Sequence, residues 1–236
     1  MKIVDLLNKP LHKMGAQLIR YPIADIKRRM ALLKFFGINK ILDVGANVGD
    51  YAIELRKLGF PGKIVSFEPL AATYLKLKKK AIHDNNWDTI NIALGSTDQE
   101  SFINIAGNCN SSSLLDMLPD HVNSAPHSSY IGKEKITVRK LDSVMKDYYS
   151  KGDNILLKID TQGFEKQVLD GAEQSLPIIR GIQLEMSLLP LYSDSILYLE
   201  MIELLKNKGY KLYSLENGFS NPETGQLLQV DGIFFR

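Results

Sequence analysis

ILDVGANVGDYAIEL, residues Ile41 to Leu55, is the stretch that decides the fold. Its apolar start (Ile41, Leu42, Val44) carries one acid, Asp43, and then breaks into Gly45-Ala46-Asn47-Val48-Gly49. An apolar pattern resumes at Tyr51, Ile53 and Leu55, which predicts a strand, a glycine-rich turn and a helix. That unit lets backbone approach a nucleotide-like ligand at the C-terminal edge of a parallel sheet. A second strand, Lys63 to Phe67, ends in Glu68-Pro69. An acid about 20 residues beyond the glycine turn is placed to bind a ribose hydroxyl pair. Together they point to an adenosine-containing cofactor.

The turn narrows the choice. A dinucleotide site wants G-x-G-x-x-G, and Asn47 stands where the middle glycine would be. A P-loop would need Lys and Ser or Thr after its last glycine, but Asp50 follows Gly49. Asp43 and Asp50 put negative charge beside the turn. That charge repels pyrophosphate and suits a sulfonium with its ammonium, so the cofactor expected is S-adenosyl-L-methionine, with Asp43, Gly45, Ala46, Asn47, Gly49, Glu68 and Pro69 around it.

Strand and helix signals then alternate, which argues for a doubly wound, mostly parallel α/β sheet. Ala72–Ile82 is predicted helical and Thr89–Leu94 a strand stopped by Gly95, with Ala93 and Leu94 counted among the cofactor residues. Glu100–Ile105 and Lys135–Leu141 have β patterns, and Asp142 is placed to cap a short helix through Tyr149. Further strands are expected at Asn154–Ile159, Ile178–Met186, Tyr210–Leu215 and Val230–Phe235, with helices at Glu165–Leu176 and Asp194–Lys208. Residues 1–36 suggest two amphipathic helices: Ile3, Leu6, Leu7, Leu11, Met14 and Leu18 form one stripe, and Ile26, Met30, Leu33 and Phe36 the other. The expectation is a helical extension, 1–38, packed on a domain of 39–236. Lysines 76, 78, 79 and 80 make a solvated helix face.

A second chemical segment is Lys158-Ile159-Asp160-Thr161-Gln162-Gly163-Phe164-Glu165. Lys158 and Asp160 fall on one face of their strand, and Asp160 ends it at the edge where open α/β proteins bind ligands. Glu185 ends the next strand. An alcohol is a poor nucleophile, so methyl transfer to it needs help in removing the proton. Asp160 is the first choice as base and is also counted among the cofactor residues, with Glu165 or Glu185 orienting the acceptor. If these acids instead bound a metal, Mg²⁺ is the ion their oxygens would suit; no metal is assigned. The polar stretch Gly107–Gly132 is expected to be a functional loop. In it, Asn110 and Ser111, Ser112 and Ser113 offer short hydrogen-bonding groups, Ser112 and Ser113 being placed with the cofactor. His121 and His127 are weaker candidate bases.

Four segments, Asp43–Asp50, Phe67-Glu68-Pro69, Asn110–Leu114 and Lys158–Glu165, resemble the motifs of the FkbM-type methyltransferases, in that order. Gln162 stands where the family more often has Glu. The resemblance covers about Asn39 to Arg236. It implies a Rossmann-like class I methyltransferase fold with seven main strands, the last antiparallel, and S-adenosylmethionine-dependent methylation of a hydroxyl on a sugar, glycan or natural-product intermediate. N-methylation of an amine, or a non-catalytic scaffold of the same fold, are the alternatives.

Composition sets the remaining bounds. With 44% hydrophobic residues the 236-residue chain can build a core, and a formal net charge of +2 is too mild to imply nucleic acid. The single cysteine, Cys109, excludes an internal disulfide and fits a reducing, cytoplasmic setting. No stretch reaches transmembrane length.

Overall fold

The computed structural model describes residues 3–18 and 21–236. The chain divides into two compact units, Met1–Phe35 and Phe36–Arg236. The first holds helices α1 (Ile3–His12) and α2 (Ala24–Phe35). After α1 the Asn8 side chain donates to the Leu18 carbonyl (3.0 Å) and accepts from its N–H (2.7 Å), closing the turn. The side chains of Ile3 and Leu6, part of the expected stripe, lie outside the described ones.

The second unit is built on β1 (Lys40–Val44), β2 (Lys63–Phe67) and β3 (Trp87–Ile90), linked by α3 (Asp50–Lys57) and α4 (Ala71–Ala81). After β4 (Ala93–Leu94), β5 (Gln99–Ala106), α5 (Pro119–Ser124), β6 (Tyr130–Arg139) and α6 (Leu141–Val144) come β7 (Ile155–Ile159), α7 (Glu165–Asp170), β8 (Ile179–Ser187), α8 (Tyr198–Asn207), β9 (Lys211–Asn217) and β10 (Gln229–Phe235). Seven strands make one sheet in the order β3-β2-β1-β7-β8-β10-β9. β10 runs antiparallel between β8 and β9, while the other pairings are parallel. This is the doubly wound, Rossmann-like sheet expected.

The central strands are mostly apolar, and every residue of β7 is buried, the charged Lys158 included. Thr73, Leu77 and Ala81 put the inner face of α4 at four-residue spacing, and its lysines at 76, 78, 79 and 80 are exposed. Among the described residues no helix is long and apolar enough to cross a membrane.

Several boundaries differ from the sequence expectation. The strand expected over Thr89–Leu94 is split: β3 ends at Ile90, and Ala93–Leu94 pairs instead with β6 in a second, three-stranded sheet, β4-β6-β5. The polar stretch after β5 contains α5 and a 3₁₀ turn at Pro126–Ser128, each with proline in its first turn. Asp142 does not cap its own helix. Its carboxylate accepts from the N–H of Gln174 (3.0 Å) and from the N–H and hydroxyl of Ser175 (2.8 and 2.6 Å), fastening the turn after α7. That turn is why α7 stops at Asp170 rather than Leu176. α8 starts at Tyr198, because Asp194 takes a left-handed φ of 56°.

Candidate active site

The glycine turn sits where β1 meets β2 and β7. The Phe67 carbonyl accepts from the N–H groups of Gly45 (3.1 Å) and Ala46 (3.0 Å), and the Val44 carbonyl from that of Asp160 (3.0 Å). Gly45 has φ 75°, and a Cβ there would lie 1.8 Å from the Asp160 carbonyl oxygen. Only glycine permits that approach. Asn47, at φ 48°, aims its N–H at Glu68 Oε2 (2.9 Å), and the Leu70 N–H meets Oε1 (2.9 Å). Burial pushes the Glu68 carboxyl up to about 7, against the pull of those two backbone donors.

Beside the turn lies a cavity of about 270 Å³. Its polar side carries Gly45, Ala46, Asn47, Glu68, Lys158 and Asp160; its apolar side includes Leu70, Ile92, Ala93, Leu94, Ile103, Leu114 and Phe164. Asn47 Nδ2 donates to Asn110 Oδ1 (2.7 Å), joining the glycine turn to the loop after β5.

Lys158 is the buried cation of the site. Its Nζ lies 3.2 Å from Asp43 Oδ1, 3.4 Å from Asp160 Oδ2 and 5.3 Å from the Tyr51 ring centroid. Burial opposes its charge, but the Asp43 and Asp160 carboxylates outweigh burial and hold the ammonium well above the usual lysine range. Asp43 is fully buried; its other oxygen accepts from Ser66 Oγ (3.1 Å), which itself accepts from Trp87 Nε1 (2.9 Å).

Asp160 faces the cavity with its side chain 41% exposed. Gln162 Nε2 donates to both Asp160 Oδ1 (2.9 Å) and Glu185 Oε2 (3.0 Å), and Gln229 Nε2 also donates to Glu185 Oε2 (2.7 Å). Burial, with the nearby carboxylates of Asp160, Asp231 and Glu165, drives Glu185 well above the ordinary glutamate range, Lys158 pulling weakly the other way. Glu185 lines a second cavity, about 280 Å³, with Asn108, Ser111, His121, Ala125, Phe219 and Gln229. Asn110 and Gln162 border both cavities.

A model of the FkbM methyltransferase domain matches residues 43–212, more than half of the chain. The chain belongs to the FkbM methyltransferase domain family. It is an S-adenosylmethionine-dependent methyltransferase. No curated protein matches it. Solved structures of similar fold include TehB from Haemophilus influenzae, 12% identical over 92% of this chain with a TM-score of 0.48; this chain spans 63% of that one. A putative RNA methyltransferase from Pyrococcus horikoshii is 10% identical (92% and 86% of the two chains, TM-score 0.48). Fibrillarin from Aeropyrum pernix, solved with natively bound S-adenosyl-L-methionine, is 10% identical (86% and 74%, TM-score 0.45).

Of the cofactor residues expected in this FkbM methyltransferase, Gly45, Ala46, Asn47, Glu68, Pro69, Ala93, Leu94, Ser112 and Asp160 line the first cavity. Asp43, Gly49 and Ser113 do not. Asp43 lies within β1, its buried side chain paired with Lys158 of β7. A Cβ on Gly49 would lie 2.7 Å from Leu77 and 2.8 Å from Trp87, so this glycine serves the packing of α3. Ser113 Oγ donates to the Gln162 carbonyl (2.7 Å) and fixes the turn after β7.

The catalytic candidates separate too. Glu165 Oε1 accepts from the Thr161 N–H (2.9 Å), the Thr161 hydroxyl (3.1 Å) and the Gly163 N–H (3.2 Å). It therefore braces the turn before α7 and lines neither cavity. His121 is buried in the second cavity wall, and burial lowers its pKa. His127 is exposed and lines neither cavity. Among the described residues no group of three His, Cys, Asp or Glu side chains is arranged to hold a metal ion. The cation beside Asp160 is Lys158.

Sequence reasoning missed Tyr51, Tyr192, Gln183 and Gln229. The Tyr51 hydroxyl donates to Gln183 Oε1 (2.9 Å), which steadies the ring beneath Lys158. Nothing in their local sequence marks these four.

Proposed function

We propose that the first cavity takes S-adenosylmethionine and that the second takes an acceptor whose hydroxyl is methylated. The observation that carries this reading is the pair of adjoining cavities, the second one lined by amides, a serine, a histidine and a carboxylate, with Asn110 and Gln162 bordering both and Asp160, bonded to Gln162, on the wall of the first. That polar lining suits a hydroxyl-rich small molecule such as a sugar, glycan or natural-product intermediate. The cofactor fits the first cavity by its chemistry: a buried carboxylate, Glu68, answers a ribose diol, and Leu70, Ile103 and Leu114 offer an apolar wall to a base.

The cofactor, when bound, supplies an electrophilic methyl group on a sulfonium. The chain supplies position and a proton acceptor. Lys158 and Gln162 each hold one oxygen of Asp160, and the carboxylate takes the proton from the acceptor hydroxyl. Incubation with labelled S-adenosylmethionine and a panel of hydroxyl and amine acceptors, followed by mapping of the labelled atom, tests the reading. Label on oxygen is the expected result, and label only on nitrogen would overturn it.

Glu68 gives a separate test of the cofactor assignment. Glu68→Ala should weaken S-adenosylmethionine and S-adenosylhomocysteine by about 1.5–3 kcal/mol, the value of charge-assisted hydrogen bonds. The sign of the pH dependence follows from the raised Glu68 carboxyl. Below about pH 7 that group is protonated in the free protein and has to lose its proton to accept fully from a diol. Affinity should therefore rise from pH 6 to 8, with proton release visible by calorimetry in buffers of different ionisation enthalpy. Glu68→Gln should flatten that slope; a slope unchanged in the variant would remove Glu68 from the cofactor site.

A further inference from the structure

Gln162 is useful to the two carboxylates only in one of its two amide orientations. With Nε2 toward Asp160 and Glu185 it donates to an oxygen of each acid; flipped, it would turn its oxygen on the Asp160 carboxylate. The backbone does not choose between these orientations. The choice is made from the other side, where the Tyr192 hydroxyl donates to Gln162 Oε1 at 2.8 Å. Tyr192 is buried, and burial raises its pKa far above the ordinary tyrosine range, so the phenol remains a donor. Its ring packs against the Gly163 Cα, where an added Cβ would come within 2.8 Å of it, so the phenol is set against the Gln162–Gly163 turn.

The accounting extends one residue further. A phenol that gives its proton to Gln162 has only lone pairs left, and His121 Nε2 lies 3.1 Å from its oxygen. His121 must then carry its proton on Nε2 and leave Nδ1 as an acceptor for the Ser128 hydroxyl, 3.0 Å away, whose competing acceptor is the Ala125 carbonyl at 2.6 Å. The three side chains come from α5, the turn after β7 and the segment after β8.

We propose that Tyr192, supported by His121, is a positioning residue that locks the Gln162 amide with its NH₂ toward Asp160 and Glu185. The kinetic part of this proposal rests on Asp160 as base; the geometric part does not. The groups that face the two carboxylates are Lys158, Glu165, Asp231 and each other, and none of these is altered by changes at Tyr192.

The test is carboxyl ¹³C NMR titration of protein labelled at its Asp and Glu side chains, in wild type, Tyr192→Phe, Gln162→Ala and the double variant. Tyr192→Phe should raise the midpoints of Asp160 and Glu185, since a freed amide no longer favours their charged forms. The same change in the Gln162→Ala background should move neither. Unchanged midpoints, or an equal shift in both backgrounds, would overturn the lock. If Tyr192→Phe does not fold, wild type decides: long-range ¹⁵N–¹H spectra should place the His121 proton on Nε2, and a proton on Nδ1 alone refutes the proposal. With an acceptor in hand, Tyr192→Phe should lower kcat about three- to tenfold and leave the KM for S-adenosylmethionine unchanged. A protein that methylates no hydroxyl would sink the base assignment, while the titrations would still uphold or refute the lock.

Discussion

Asp160→Asn should lower kcat by about 10²- to 10⁴-fold, the usual loss when a general base is removed, with little change in cofactor affinity. The replacement is close to isosteric. Its amide oxygen can still accept from Gln162, but its NH₂ then faces the Lys158 ammonium, 3.4 Å from the oxygen it replaces. Lys158 keeps Asp43, so the buried cation is not stranded. Single-turnover kinetics with a true acceptor separate the outcomes. Turnover near wild type would move the base elsewhere, to Glu185 first, since its carboxylate lines the acceptor-side cavity. Loss of cofactor binding would assign Asp160 to the cofactor pocket instead.

Gly45→Ala should destabilise the protein by about 2–6 kcal/mol. Two costs combine: a side chain at φ 75°, about 1–3 kcal/mol, and overlap with a backbone carbonyl, about 1–3 kcal/mol. Gly59 is the control, because it has φ 84° but nothing within 4 Å of an added Cβ. Gly59→Ala should cost only the conformational part, on the order of 1 kcal/mol. Urea unfolding of both variants gives the comparison. Equal losses would mean that the turn shifts freely away from Asp160, and the close approach would lose its significance. Where Gly45→Ala still folds, it should bind S-adenosylmethionine poorly, since the displaced turn carries the Asn47 N–H that engages Glu68.

What a single sequence could reveal here was local. The strand, turn and helix of Ile41–Leu55 and the acid at Glu68 are set by spacing along one segment, and the structure assembles them at one cavity. The ends of secondary structure were less legible, because they are decided by partners far away. Asp142 looks like a helix cap until its carboxylate is seen to fasten residues 174 and 175. Glu165 and Asp160 are both acids near a strand end, and nothing local shows that one turns into its own loop while the other faces the cavity. His121 and Tyr192 are 71 residues apart. Their contact depends on how α5 packs beside the segment after β8, which has no periodic signature. The two-residue β4 was hidden for a related reason: Asn91 and Ile92 continue the polar–apolar alternation of Thr89 and Ile90, which the sheet itself does not follow.

The place of β10 in the sheet divides the site along the chain. β10 joins β9 to the seven-stranded sheet by pairing with β8, and Gln229, the first residue of β10, is one of the two amide donors to Glu185. The walls of the first cavity, by contrast, come from residues 44–164 alone. A chain still lacking β10 therefore already carries every side chain that lines the cofactor cavity. The wall of the second cavity is complete only once Gln229 is in place, so the last strand of the chain bears on one cavity and not on the other.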